Sequence, residues 1–165
     1  MRFSTVILMI TIIVWGVLLG GIVYSHIVYF PPYLSNLPDS SVIVTGKYAL
    51  HEENFWKLIH PVLILSLILA IIFNWKNRSR RKNILISFVV YAIVLIISSI
   101  YFIPELINFS KSASSPLPAS EWMRRSANWF TYSIIRGTSL FVAIVPLFVA
   151  LLKPAGDKRR GTILT

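Results

Sequence analysis

Cysteine is missing from the chain, which excludes disulfides, thiolate metal ligands and cysteine-based catalysis. Acidic residues are scarce, six against sixteen lysines and arginines, and there are only three histidines. HExxH, the paired ExxH of di-iron bundles, the GxSxG elbow, the phosphate-binding loop and the dinucleotide fingerprint are all absent from the sequence. No alternation of short apolar and polar segments suggests a transmembrane barrel. An internal repeat and a domain boundary are lacking too, so the 165 residues read as one unit.

What is abundant is apolar surface: 56% of the residues are hydrophobic and the mean hydropathy is +0.73. An ordinary soluble domain is roughly 45–50% apolar. Four windows approach the about 20 residues that cross a hydrocarbon core of about 30 Å. They predict spans at about 5–25, 55–75, 84–103 and 129–152. Because helices satisfy their backbone hydrogen bonds internally, the expected fold is an all-α transmembrane four-helix bundle, with an ordered outer cap made by two longer loops. The first span lacks a clear small-x-small cleavage site and reads as a retained anchor.

Charge is sided. Arg2, the segment "NWKNRSRRKN" and the segment "KPAGDKRRG" hold ten of the sixteen basic residues, and four spans put all three on one side. Asp39, Glu52, Glu53, Glu105 and Glu121 fall on the other side, with all three histidines. The positive-inside rule then predicts a multi-pass protein, in a bacterial inner membrane, with both termini cytoplasmic. This topological role accounts for the net charge of +10 without nucleic acid as a partner.

The outer loops are expected at about Ser25 to Asn54 and Pro104 to Asn128. The prolines of "YFPPYLSNLPDSS" predict an interrupted helix, and Ser120 is the expected N-cap of a short helix in the second loop. Tyr24, Tyr29, Phe30, Tyr33, Trp56, Tyr101, Trp122 and Trp129 read as an outer interface belt, with Trp75 at the inner boundary. Gly16 and Gly20 have GxxxG spacing, which would admit a homo-oligomer or another membrane protein.

Polar groups converge at the outer side. In "HEENFWKLIHP", Glu53, Trp56 and His60 share one helical face, while His51, Glu52 and Lys57 are expected to face water. Trp15, Leu19, Ile22 and His26 form a stripe on the first span; Tyr91, Ser98 and Glu105 form one on the third; Arg125, Trp129, Tyr132 and Arg136 form one on the fourth. His26, His60, Glu105 and Arg136 thus end at similar heights, with Arg136 expected to pair with Glu105 or a substrate anion. His26, Glu53 and His60 suit a single Zn, Fe, Mn or Cu(II) ion better than Cu(I). The cofactor expectation is therefore one metal ion or none.

Three segments carry a family resemblance: "SHIVYFPPYLSNLP", "NFWKLIHPVLILSLILAIIF" and "WMRRSANWFTYSIIRGTSLF". With them the chain resembles the anthrone oxygenase-like family of small four-helix membrane proteins. Trp122, Asn128, Trp129 and Arg136 look like that family's signature before its last helix. The resemblance implies a membrane oxidoreductase that oxygenates an activated polycyclic phenol without a cofactor. His60 would then be the base and Arg136 the oxyanion partner, with Glu105 beside them and Trp56, Asn128, Trp129 and Tyr132 shaping the site. The competing expectation is a non-enzymatic bundle that binds membrane lipid, quinone or another apolar molecule, or that stabilises a larger membrane complex.

Overall fold

A computed structural model describes residues 2–155. Lys158, Arg159 and Arg160, part of the third basic segment, lie outside the described residues. Four helical spans run Phe3–Leu34, Glu53–Phe73, Arg78–Ser110 and Ala119–Leu152, each long and apolar enough to cross a membrane. The first is α1 (Phe3–Tyr24), a π turn (Ser25–Tyr29) and α2 (Phe30–Leu34). The second is α3 (Glu53–Phe73). The third is α4 (Arg78–Ile97), a second π turn (Ser98–Phe102) and α5 (Ile103–Ser110). The fourth is α6 (Ala119–Ala143) followed by α7 (Val145–Leu152).

The helices close into a ring: α1 packs on α3, α3 on α4, α4 on α6 and α7, and α1 also on α6 and α7. Leu8, Trp15, Leu18, Leu63, Leu67, Ile84 and Leu147 fill the centre. Large apolar side chains also cover the outside, among them Ile13, Ile27, Leu65, Ile100 and Val142. Helices apolar on both faces fit a hydrocarbon solvent and would be unstable in water. The structure is thus the transmembrane four-helix bundle expected.

Three spans are longer than their apolar windows. The Pro31-Pro32 pair does not stop the first, because a π turn precedes it and the prolines occupy the opening turn of α2, where missing N–H groups cost least. Pro104 plays the same part after the second π turn. The expected break at "YFPPYL" is therefore a change of helical pitch. The fourth span begins at Ala119 with Pro118 as its N-cap, so Ser120 lies inside the helix. Before Pro146 the helix breaks between Ala143 and Val145.

The extensions build the cap. Tyr29, Phe30, Tyr33 and Leu37 pack with Phe102, Phe109, Trp122 and Trp129. Tyr33 and Trp129 are each 1% exposed, so these rings are cap core where a belt was expected. Tyr24, Tyr101 and Trp75 remain exposed.

At the opposite end a clasp around the buried Arg80 joins three segments. Arg80, 3% exposed, donates from Nε and Nη2 to the Lys153 carbonyl at 2.9 and 2.6 Å, and from Nη1 to Thr5 Oγ1 at 3.0 Å. Asn77 donates to the Pro154 carbonyl and Arg2 to the Ala155 carbonyl, each at 2.7 Å. A guanidinium on the last carbonyls of α7 satisfies groups that the helix end leaves unpaired.

Candidate functional site

The two π turns each start at a serine, and both serines belong to the polar centre. Ser25 Oγ donates back to the Gly21 carbonyl at 2.9 Å and Ser98 Oγ to the Val94 carbonyl at 2.7 Å. Such back-bonding bends helices, and π turns recur at functional sites. With its proton on Val94, Ser98 keeps an oxygen lone pair for a donor from α6.

That donor is Arg136. Its Nη1 donates to Ser98 Oγ at 3.2 Å and its Nη2 to Ser133 Oγ at 3.1 Å. The guanidinium lies 4.2 Å from the centre of the Phe102 ring, a cation–π contact. Ser133 is completed from α1: His26 Nε2 lies 3.0 Å from Ser133 Oγ, and His26 Nδ1 lies 2.8 Å from the Ile22 carbonyl. A carbonyl only accepts, so Nδ1 carries hydrogen. In the neutral ring Nε2 then accepts from Ser133, and Ser133 accepts from Arg136. The network therefore has one direction, from Arg136 through Ser133 and His26 to Ile22.

The network takes up two of the five guanidinium N–H groups. Among the described residues no carboxylate is within ion-pair distance of Arg136. The expected Glu105 partner is engaged elsewhere. Arg125, three turns toward the cap, holds Glu105 with two bonds of 2.5 Å each. Glu105 follows the π turn and Pro104, and its carboxylate meets Arg125 before it can reach Arg136. The carboxylate that acts on Arg136 through space is Glu52.

Glu52 was expected in water, and it faces inward. Its Oε1 shares the single Ser25 hydroxyl proton with the Gly21 carbonyl. Burial pushes its carboxyl above the usual carboxylate range, against the lowering effect of the Ser25 hydrogen bond. Glu53 takes the outward position and meets His51 at 3.0 Å, with both side chains more than half exposed. The helix starts one residue away from the phase that would turn Glu53 inward, and one residue is about 100° of rotation.

His60 is paired deeper in the ring. Its Nδ1 lies 2.7 Å from the Tyr91 hydroxyl, and its ring stacks on Trp56 with centres 5.6 Å apart. Tyr91 in turn packs against Trp15, whose Nε1 donates to the Leu140 carbonyl at 3.2 Å. His60 and Tyr91 thus bind α3 to α4, while Trp15 binds α1 to α6. The proposed ligand trio His26, Glu53 and His60 is not brought together: Glu53 is outside on His51, and no group of three or more metal-ligating side chains occurs among the described residues. Trp129 is buried and donates to the Phe102 carbonyl at 3.1 Å, whereas Asn128 and Tyr132 are exposed.

A groove of about 470 Å³ opens beside Arg136, between α4 and α6. Val90, Ile93, Val94 and Ile97 form one wall, Ile135, Arg136 and Ser139 the other, and Tyr101 and Tyr132 stand at the cap end. Its lining is almost wholly apolar, with the guanidinium as the one charged group in the wall. The volume is that of a small-molecule site, about 300–1,000 Å³. His60 does not line it. Compared with known proteins, the chain matches no family model, no curated protein and no solved structure.

Proposed function

We propose that the protein binds an apolar molecule ending in an oxyanion, a carboxylate or phenolate, drawn sideways from the bilayer into the groove between α4 and α6. The observation that carries this reading is Arg136: a half-buried cation with unused donors, set in an otherwise apolar wall. A charge within the span needs an acceptor, and its cost falls when one arrives. Serines 98 and 133 fix the guanidinium plane, and Phe102 supports it from below. Ser98 is eight residues from Val90, or about 12 Å at helical rise, so an extended chain can lie along the groove with its head on Arg136.

Binding is favoured over oxygenation of a phenol. The base that the family resemblance implies, His60, is occupied with Tyr91 and lies outside the groove lining. Residues of the groove supply recognition: Arg136 the charge, Tyr101 and Tyr132 an amphipathic rim, and the aliphatic walls the apolar contact. The basic end is assigned to the cytoplasm by the positive-inside rule, which puts the head of the ligand in the outer half of the membrane.

The test compares dodecanoate with dodecanol, equal chains with different heads, by calorimetry on the purified protein in a non-ionic detergent. Dodecanoate should bind at least about tenfold more tightly, the effect of one charge-assisted hydrogen bond of about 1.5 kcal/mol. Arg136→Gln should abolish that preference. Ile93→Trp, at an exposed groove position, should weaken both. Equal binding of acid and alcohol by the wild type would overturn the proposal.

A further inference from the structure

We propose that a second cavity, at the cap end between α1 and the start of α3, binds an organic ammonium group on the Glu52 carboxylate. The cavity measures about 510 Å³ and is bounded by Gly20, Gly21, Tyr24, Ser25, Glu52 and Phe55, among others. It shares no lining residue with the Arg136 groove, which lies between other helices.

Glu52 differs from the other glutamates. Glu53 has His51, Glu105 has Arg125 and Glu121 has Arg124. Among the described residues, no lysine, arginine or histidine nitrogen lies within ion-pair distance of Glu52. A carboxylate offers about four acceptor positions, and Ser25 fills one on Oε1. The Trp56 side chain is a second donor beside it, and the positions left over border the cavity. Burial already disfavours the charged form of this carboxyl, and an arriving cation would restore it.

The walls select for an organic cation. Tyr24 and Phe55 present rings, whose faces attract ammonium groups. A hard metal ion would need about six oxygen ligands, and this cavity offers one carboxylate. Shape follows from the glycines. A Cβ on Gly21 would meet the Phe55 ring at 2.3 Å, so a bare backbone lets that ring close over α1. A Cβ on Gly20 would meet nothing within 4 Å, so that side is open toward the exterior of α1. The ammonium has two sources: a soluble amine from the aqueous side, or the ethanolamine headgroup of a lipid entering past Gly20.

The experiment is calorimetry on the full-length protein in a non-ionic detergent, with ethanolamine and short-chain phosphatidylethanolamine as probes and phosphatidylglycerol of equal chain length as control. The expected result is saturable 1:1 binding of an ammonium probe and none of phosphatidylglycerol. Binding of ethanolamine itself identifies a soluble ligand; binding of the lipid alone identifies a headgroup site. Glu52→Gln should weaken binding at least tenfold, and Glu52→Asp should retain part of it. Gly20→Leu, placed where a side chain meets open space, should block the cavity while helicity and melting temperature stay near wild type. Failure of both ammonium probes to bind the wild type, or unchanged binding by folded Glu52→Gln, would overturn the proposal.

Discussion

Glu105→Gln, Arg125→Met and Arg136→Met, made singly and in pairs, ask which arginine Glu105 serves. The structure gives Glu105 to Arg125 through two 2.5 Å bonds. Their side chains are 13% and 25% exposed, so the pair is neither on the surface nor sealed. Exposed pairs are worth about 0–1 kcal/mol, whereas breaking a buried one costs about 3–5 kcal/mol. Solvent screening at this exposure puts the coupling between Glu105 and Arg125 at about 1–2 kcal/mol. For a chain of this size about 1 kcal/mol moves the melting temperature by about 2–4 °C. The double mutant Glu105→Gln/Arg125→Met should therefore melt about 2–8 °C higher than the sum of the single losses allows. Glu105→Gln with Arg136→Met should instead be additive within about 0.5 kcal/mol, since they share no bond. Thermal unfolding in one detergent, monitored by helicity, measures all six variants. Coupling above about 1 kcal/mol between positions 105 and 136, with none between 105 and 125, would refute the assignment.

Arg80→Met should destabilise by about 2–4 kcal/mol in the same assay, because charge-assisted bonds of about 1.5–3 kcal/mol each are lost while the freed carbonyls partly rehydrate; Arg80→Lys should recover little, since an ammonium cannot reproduce the fork. Gly21→Ala should lower stability by about 1–3 kcal/mol by forcing Phe55 aside, whereas Gly16→Ala, whose Cβ meets nothing within 4 Å, should leave the folded protomer within about 0.5 kcal/mol of wild type. If Gly16 and Gly20 pack against another chain, Gly16→Leu should disrupt that association in a crosslinking assay with no change in protomer melting. Orientation is tested in this cysteine-free chain by Ser79→Cys and Ser114→Cys, both at exposed positions; an impermeant maleimide on intact cells should label position 114 and spare 79, and the reverse pattern would invert the topology.

The spans were legible because a bilayer imposes one length and one polarity on every crossing segment. What the hydropathy windows missed is where helix continues beyond the hydrocarbon. The "YFPPYL" segment looked like a break since proline opposes an interior helical position, yet a π turn moves Pro31 and Pro32 into an opening turn. Trp122 and Trp129 looked interfacial, because membrane-edge and cap-core tryptophans have the same local sequence. Their burial depends on α5 and α6 reaching past the span to meet the first loop. For the polar centre, residue type and height were readable, and partner choice was not. His26 and Arg136 do meet, through Ser133. Serine carries no charge and gives little signal in a hydropathy profile, so the residue that joins them was invisible.

Glu52 and Glu53 show why facing could not be read. Adjacent carboxylates at a helix start are equivalent in composition, and the helix phase alone decides which one enters the bundle. The phase is set here by the contact of Phe55 on Gly21, where the absence of a side chain on α1 lets α3 approach. Phe55 in place turns Glu52 toward Ser25 and leaves Glu53 with His51 in solvent. Ser25 is itself positioned by the π turn that precedes the prolines. A glycine, a serine and a proline pair, none of them ionisable, thus determine which carboxylate lies at the polar centre and which acts on Arg136 through space.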